Sequence, residues 1–286
     1  DLGREREALA SIAQARQLLP ATTDSWAAEV PLRHEQGPPR PESDRDVAVL
    51  AHWSPQPQLS RSVERLLEEL LASGYACALV SASPSPSRLT ASDPELLARV
   101  SVLRRPNVGY DFGSWAAFLH VHPEVRRADR VLLLNDSLIG PFASLTSIID
   151  GFTDCPTQIW GLVGTTQDRP HLQSHVMGYK DGVLDDSSLR RFWDGVREER
   201  TKTRIVHRYE IGLSRLAQRE GILTAAHFPW QWVTSRGQNP TSLGWRRLIA
   251  MGFPFVKREL VRNPPPEVVD TADIPQVVRE RWGEDV

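Results

Sequence analysis

The chain has 286 residues, 40% apolar and 24% charged, with a formal net charge of −2, which is room for one large α/β domain or two small ones. Such a balance argues against non-specific nucleic-acid binding, and no run approaches the roughly 18 apolar residues that a bilayer-spanning helix needs. Cys77 and Cys155 lie far apart with no CxxC spacing, so a disulfide framework or zinc site is not expected, and a reducing cytoplasm fits. Lysine occurs only at Lys180, Lys202 and Lys257.

Residues 1 to 20 carry Leu9, Ile12, Ala13, Ala15 and Leu18 or Leu19 at helical spacing, stopped by Pro20, and the opening "DLGRERE" lacks the apolar stretch of a signal peptide. From there to Asp46 proline and charge dominate, which suits a linker or irregular arm better than a strand. The boundary is placed near Arg45: residues 1–45 form a helix and arm, and 46–286 the main domain.

"DVAVLAHWS" reads as a buried parallel strand, and "LSRSVERLLEELLASGY" as an amphipathic helix capped by Ser60 and stopped by Gly74. "ACALVSAS" is a second strand, "DPELLARV" a short helix capped by Asp93, and "VSVLRRPN" a third strand. A helix from Phe112 to about His120 and the strand "RVLLLND" continue the alternation. Strands separated by helices predict an open, mostly parallel sheet with helices on both faces. The second half is less regular: "TQIWGLVGTT" and "HLQSHVMGYKDGVL" contain strands, "DSSLRRFWDGV" a helix, and "IVHRYEIGLSRLAQREGI" a helix ended by Gly221, with Glu210 near its start.

Ligands of such sheets sit beyond the carboxyl ends of the strands. The groups expected there are His52-Trp53-Ser54, Ser81-Ala82-Ser83, Arg105-Pro106-Asn107 and Asn135-Asp136-Ser137. No GxGxxG follows the first strand and no GxxxxGK[ST] occurs, which weakens dinucleotide and P-loop readings. Asp136 is placed to hold a divalent cation against a diphosphate, or simply to cap the next loop. Gly109 and Gly113 flank Tyr110-Asp111 between strand and helix, which suits either close approach of a ligand or a tight turn with Asp111 as N-cap. A glutamate in a first helical turn is ordinarily a dipole partner, and Lys257-Arg258 reads as a solvated basic pair at a helix start. Ser174-His175 is weak as a nucleophilic pair, since no GxSxG elbow accompanies it.

"AVLAHWSPQPQLSRSVERLLEELLASGY", "RRPNVGYDFGSW", "RVLLLNDSLIGPF", "QSHVMGY", "RYEIGLSRLAQREG" and "NPTSLGWRRLIAMGFPFVKRELVRNP" together resemble the rhamnan synthesis protein F family over about residues 46 to 266. Its members are glycosyltransferase-like proteins of bacterial cell-surface polysaccharide assembly. The blocks also look like a diverged GT-A glycosyltransferase, a Rossmann-like fold. The resemblance implies that Asn107 and Gly109 stand for an Asn-x-Gly element, Asn135-Asp136-Ser137 for a DxD motif reduced to one acid, and Glu210 for the catalytic base. It further implies an inverting transferase that moves a sugar, rhamnose from dTDP-rhamnose by the family's name, to a lipid-linked or growing glycan. Mg²⁺ or Mn²⁺ on Asp136, or Lys257 and Arg258, would offset the leaving diphosphate. His52 and Ser81 would face the nucleotide, Asp111 the donor sugar, and Ser174 and His175 the acceptor. The setting would be cytoplasmic, at the inner face of the membrane, beside other polysaccharide-assembly proteins. A glycan-binding or scaffolding module that kept the fold without catalysis is the alternative.

Overall fold

The computed structural model describes residues 26–41 and 46–286. The expected helix within residues 1 to 20 and the boundary at Arg45 lie outside the described residues. In chain order the elements that position the site are α1 (Trp26–Glu29), β1 (Arg33–Gln36), β2 (Val47–His52), α2 (Arg61–Ala72), β3 (Ala76–Ser81), α3 (Pro94–Ala98), β4 (Ser101–Arg104) and α4 (Tyr110–Val121). There follow β5 (Arg130–Asn135), β6 (Leu138–Ile139), α5 (Thr146–Asp154), β7 (Ile159–Thr165), β8 (His171–Leu172), β9 (Val176–Lys180) and α6 (Ser187–Asp194). The last third holds α7 (Lys202–Ile205), a π-helical turn (Val206–Glu210), α8 (Ile211–Glu220), β10 (Thr224–Phe228), β11 (Val256–Lys257) and α12 (Arg258–Arg262), with α9 (Trp230–Val233), α10 (Pro240–Leu243) and α11 (Trp245–Ala250) before β11.

One mixed sheet runs β1-β4-β3-β2-β5-β9-β7-β10. Strands β4, β3, β2 and β5 are parallel, as the alternation of strands and helices predicts. Every residue of β2 is buried because the sheet is covered on both faces. Val47, Val49 and Ala51 pack with Val131, Leu133 and the helix α4 on one side. Ala48 and Leu50 pack with Leu132, Leu134 and the α2 leucines on the other. Burying Leu66, Leu67 or Leu70 of α2 contributes about 2 kcal/mol each by area. Ser60 caps α2 by accepting from the Val63 N–H, and Asp93 caps α3 by accepting from the Glu95 N–H.

Two departures from the sequence expectation shape the site. Residues 33–36, expected in an irregular arm, form the edge strand β1, antiparallel to β4. An edge strand needs only one row of backbone bonds, so charge and nearby proline do not forbid it. More important, β9 lies antiparallel between β5 and β7, pairing Leu134 with Val176. Its amino end therefore lies at the carboxyl edge of β5, and the residues just before it, 171–175, are delivered to the ligand-binding edge.

Candidate active site

Parallel register sets the first half of the site. His52 pairs with Ser81, and Ala51 with Asn135, so three polar residues end at one level of the sheet. The short ladder of β6 with β11 then pairs Leu138 with Lys257, and the Arg258 N–H donates to the Ser137 carbonyl at 2.8 Å. This brings the two distant segments "NDSLIG" and "FVKRE" together. Lys257-Arg258 is thus not the solvated pair expected from sequence: both residues are half-buried, and Lys257 is held at 2.8 Å by Glu259.

Asn135 organises the centre. Its amide donates to Asp111 Oδ2 at 2.9 Å, and its Oδ1 accepts from the Ser137 N–H at 3.1 Å and from the Ser137 hydroxyl. Because that hydroxyl donates to Asn135, His175 Nδ1, at 2.8 Å, must be its donor. His175 is half-buried and neutral, its pKa pushed down to about 4 by desolvation and by the nearby Lys257 charge. Ser174 turns the other way and donates to Glu210 Oε2. Ser174 and His175 therefore serve different partners and make no nucleophile and base.

Three carboxylates surround this centre. Asp111 is not the N-cap of α4, which is Gly109, but lies in the first turn with its oxygen on Asn135. Burial pushes its pKa up to about 7, the Asp136 and Glu210 charges add to this, and Lys202 and the Asn135 amide oppose it. Asp136 is also raised, by burial first, against the pull of Arg258 and the Trp53 N–H, which donates to Oδ2 at 3.1 Å. Glu210 differs. Burial would raise it, but hydrogen bonds from His171 and Ser174 and the His171 charge outweigh burial and hold it below the usual carboxylate range. His171 Nε2 meets Glu210 Oε1 at 3.1 Å and its Nδ1 meets the Arg169 carbonyl at 2.7 Å. With acceptors on both nitrogens the ring is an imidazolium; burial lowers its pKa, yet the Glu210 and Arg169 bonds raise it above the ordinary value.

Glu210 closes a π-helical turn within a helical run from Lys202 to Glu220. This turn inserts one residue relative to 3.6-residue spacing, and such bulges recur at functional sites. Tyr209 faces inward and packs on Phe112 at 5.6 Å, while Phe112 meets Trp193 at 5.8 Å and Trp115 at 5.2 Å. This aromatic cluster joins α4, α6 and the π turn, and so fixes Asp111 relative to Glu210. The Trp115 indole N–H donates to the Leu134 carbonyl at 3.0 Å, tying the cluster to the end of β5.

Other expected contacts take supporting roles. His52 is buried, bonded through Nδ1 to Ser81 Oγ at 3.0 Å, and its pKa falls to about 4 through burial and then the Arg258 and Arg104 charges. Ser81 is wholly buried, which corrects its expected contact with the nucleotide. Asn107 is exposed, and Gly109 has a packing reason: its φ is +78° and a Cβ there would meet the Trp26 ring at 2.7 Å. The Asn-x-Gly element is therefore also a turn that seats Trp26.

Three residues escaped the sequence reading, while Trp53 was expected beside His52 beyond the end of β2. Trp53 is 45% exposed beside Asp136, and Tyr110, 49% exposed with φ +54°, stands beside Asp111. A left-handed aromatic residue costs backbone energy and marks functional sites more often than loops at large. Lys202 acts on Asp111 and, with Lys257, lines an adjoining polar recess of about 550 Å³. The scarcity of lysine was the available signal, since two of the three lysines meet here. For His171, 39 positions from Glu210, no local signal exists.

Among the described residues no group of three or more His, Cys, Asp or Glu side chains is disposed to hold a metal ion. Asp136 has Arg258 as its neighbouring cation, and one carboxylate oxygen is already on the Trp53 N–H. The described side chains alone do not make a closed Mg²⁺ or Mn²⁺ site, while Asp136 keeps its second oxygen for an ion that a diphosphate would bring.

A profile of the rhamnan synthesis protein F family matches residues 83–262, more than half of the chain and nearly all of this site. The chain belongs to the rhamnan synthesis protein F family. Within that family segment lie Asp111, Asn135, Asp136, Glu210 and Arg258, whereas His52 and Ser81 precede it. The virulence protein VirA of Vibrio anguillarum is 28% identical over 195 residues, covering 57% of this chain and 62% of VirA. The uncharacterized protein y4gN of Sinorhizobium fredii is 25% identical over 183 residues, covering 62% of this chain and 46% of y4gN. The matches thus span less than two thirds of either relative. No helix among the described residues is long and apolar enough to cross a membrane.

Proposed function

We propose that this chain carries the donor-binding and catalytic domain of an inverting glycosyltransferase that uses a nucleotide sugar. One observation supports this most: Arg258 is half-buried at this edge beside Asp136 and near His52, and its Nε and Nη2 are covered yet make no hydrogen bond, so a turn of the side chain would free two donors for an anion. A guanidinium edge with two such donors suits a planar or tetrahedral anion, and a diphosphate is the anion such a transfer must hold and release. Lys202 and Lys257 in the adjoining recess would share that charge, and the exposed Trp53 ring would stack on the nucleobase. The acceptor hydroxyl would attack the anomeric carbon in line, through an oxocarbenium-like transition state related to that of glycosidases. Asp111, with one oxygen on Asn135 and a pKa near 7, suits the base better than Glu210, whose two oxygens are committed to His171 and Ser174.

The family's name motivates rhamnose from dTDP-rhamnose as donor and a lipid-linked or growing cell-surface glycan as acceptor, at the inner face of the membrane with other assembly proteins. Calorimetric titration with dTDP and other nucleoside diphosphates tests the reading, followed by turnover with a panel of nucleotide sugars. Arg258→Gln should weaken nucleoside-diphosphate binding by about 10- to 100-fold, the worth of about 1.5–3 kcal/mol for a charged hydrogen bond. Absence of binding to the wild type at millimolar ligand would leave the scaffolding module as the better account.

A further inference from the structure

A second concave feature lies outside this site. Between α6 and the run from the π turn through α8 there is a groove of about 700 Å³. Arg208 of the π turn and Arg215 and Arg219 of α8, the last two one turn apart, line one wall, and Arg191 of α6 also lines the groove. No aspartate or glutamate lines the groove. Arg208 has Glu199 at 2.6 Å and Arg219 has Glu220 at 3.0 Å, but no carboxylate among the described residues pairs with Arg191 or Arg215. In a chain of net charge −2 this is a local concentration of cations rather than a bulk property.

The backbone supplies a second, independent sign. Gly212 lines the groove inside the helical run, where glycine costs stability relative to alanine. Packing does not require it, since a Cβ there would meet only the His207 carbonyl, at 3.8 Å. What the missing side chain does is leave the wall of the groove open. From Arg208 to Arg219 the groove runs about 16 Å at 1.5 Å per residue. At His207 it adjoins the recess of Lys202 and Lys257, which that residue also lines.

We infer that this groove binds an anionic glycan strand, one bearing carboxylate or phosphate groups, and leads its end toward Asp111. A row of guanidiniums in a long concavity matches a chain with repeated charges, which can enter it. A bilayer is a plane and would meet the rim but not the wall, where the unpaired arginines and Gly212 lie. Naming the strand as the acceptor rests on the transferase reading, while its binding does not.

The test uses binding without donor or turnover. An oligogalacturonate of about ten residues is titrated against the wild type by fluorescence anisotropy, with neutral dextran of equal length and phosphatidylglycerol vesicles as comparators. The expected result is salt-sensitive binding of the uronate alone. Arg191→Gln/Arg215→Gln should weaken it tenfold or more, and Gly212→Phe, which changes no charge, should weaken it comparably by filling the groove. Both variants should keep wild-type melting and nucleoside-diphosphate binding. Equal binding of dextran, undiminished binding in both variants, no uronate binding, or vesicle binding lost in the same variants would each overturn the inference. Failure of nucleoside-diphosphate binding alone would overturn the transferase reading and leave the groove standing.

Discussion

The two sides of the site hold their carboxylates in opposite ways. On the side built by β5 and α4, Asp111 has one oxygen on an amide, a like charge at Asp136 nearby, and a pKa raised to about 7. On the side built by residues 171–175 and the π turn, Glu210 has both oxygens occupied and an imidazolium beside it, and its pKa is depressed. A carboxylate held ready near neutral pH can exchange a proton with a substrate, whereas one saturated by a cation and a hydroxyl acts as a structural anion. The acid that the family resemblance favours as base is therefore the one whose two oxygens already carry hydrogen bonds.

Asp111→Asn breaks this contrast most severely. Turnover should fall by about 10²- to 10⁴-fold, the usual worth of a general base, with little change in nucleoside-diphosphate affinity. In the wild type kcat/KM should rise with pH through about 7 and then level, because the base must be deprotonated, and Asp111→Asn should abolish that inflection. The same variant should gain stability. A carboxyl whose folded pKa is about 7 against an ordinary 3.8 costs stability that grows as pH rises between those values, so the variant's melting advantage should be small at pH 4 and fully developed by pH 8.

Glu210→Gln should produce a smaller loss of turnover, about tenfold or less, together with a stability loss of about 3 kcal/mol from leaving buried His171 without its counter-ion. The pH dependence of that loss identifies the pair. His171 has a raised pKa, so its contribution is full below 6.5 and fades as pH rises through the folded value; Glu210 has a lowered one, so its contribution is full above 4.5 and fades below. Thermal melts should show the largest penalty between about pH 4.5 and 6.5 and a shrinking one above. A pH-independent penalty would mean the ring is neutral.

Gly109→Ala sharpens the comparison from the side. A Cβ against Trp26 at φ +78° should cost about 1–2 kcal/mol in denaturant unfolding and leave nucleoside-diphosphate affinity within about twofold. A large affinity loss with unchanged stability would restore the glycine as a ligand contact.

Much of the scaffold was legible because it obeys local rules. The strands β2, β3 and β5 are continuous apolar runs, and α2 shows an apolar face, so both announce a parallel sheet buried on two sides. The carboxyl-edge rule then located Asn135, Asp136 and His52 without any structure. It could not tell that Ser81 turns wholly inward, nor that Asn107 stays outside, because which face a terminal residue presents depends on the loop that follows. Glu210 was found by its place in a pattern, yet its setting depends on His171 and Ser174, which come from a strand pair that sequence periodicity does not orient.

What the sequence alone determined is the layered α/β core and the edge at which chemistry would sit, since 3.6- and 2-residue periodicities are written in neighbouring residues. Tertiary structure decided what each polar group does there. The antiparallel insertion of β9 turned Ser174 and His175 toward the site, the β6–β11 ladder carried Arg258 to Asp136, and the π turn set Glu210 against His171. Ionisation follows from burial and from charges brought together over tens of residues, and such distances leave no trace in local sequence.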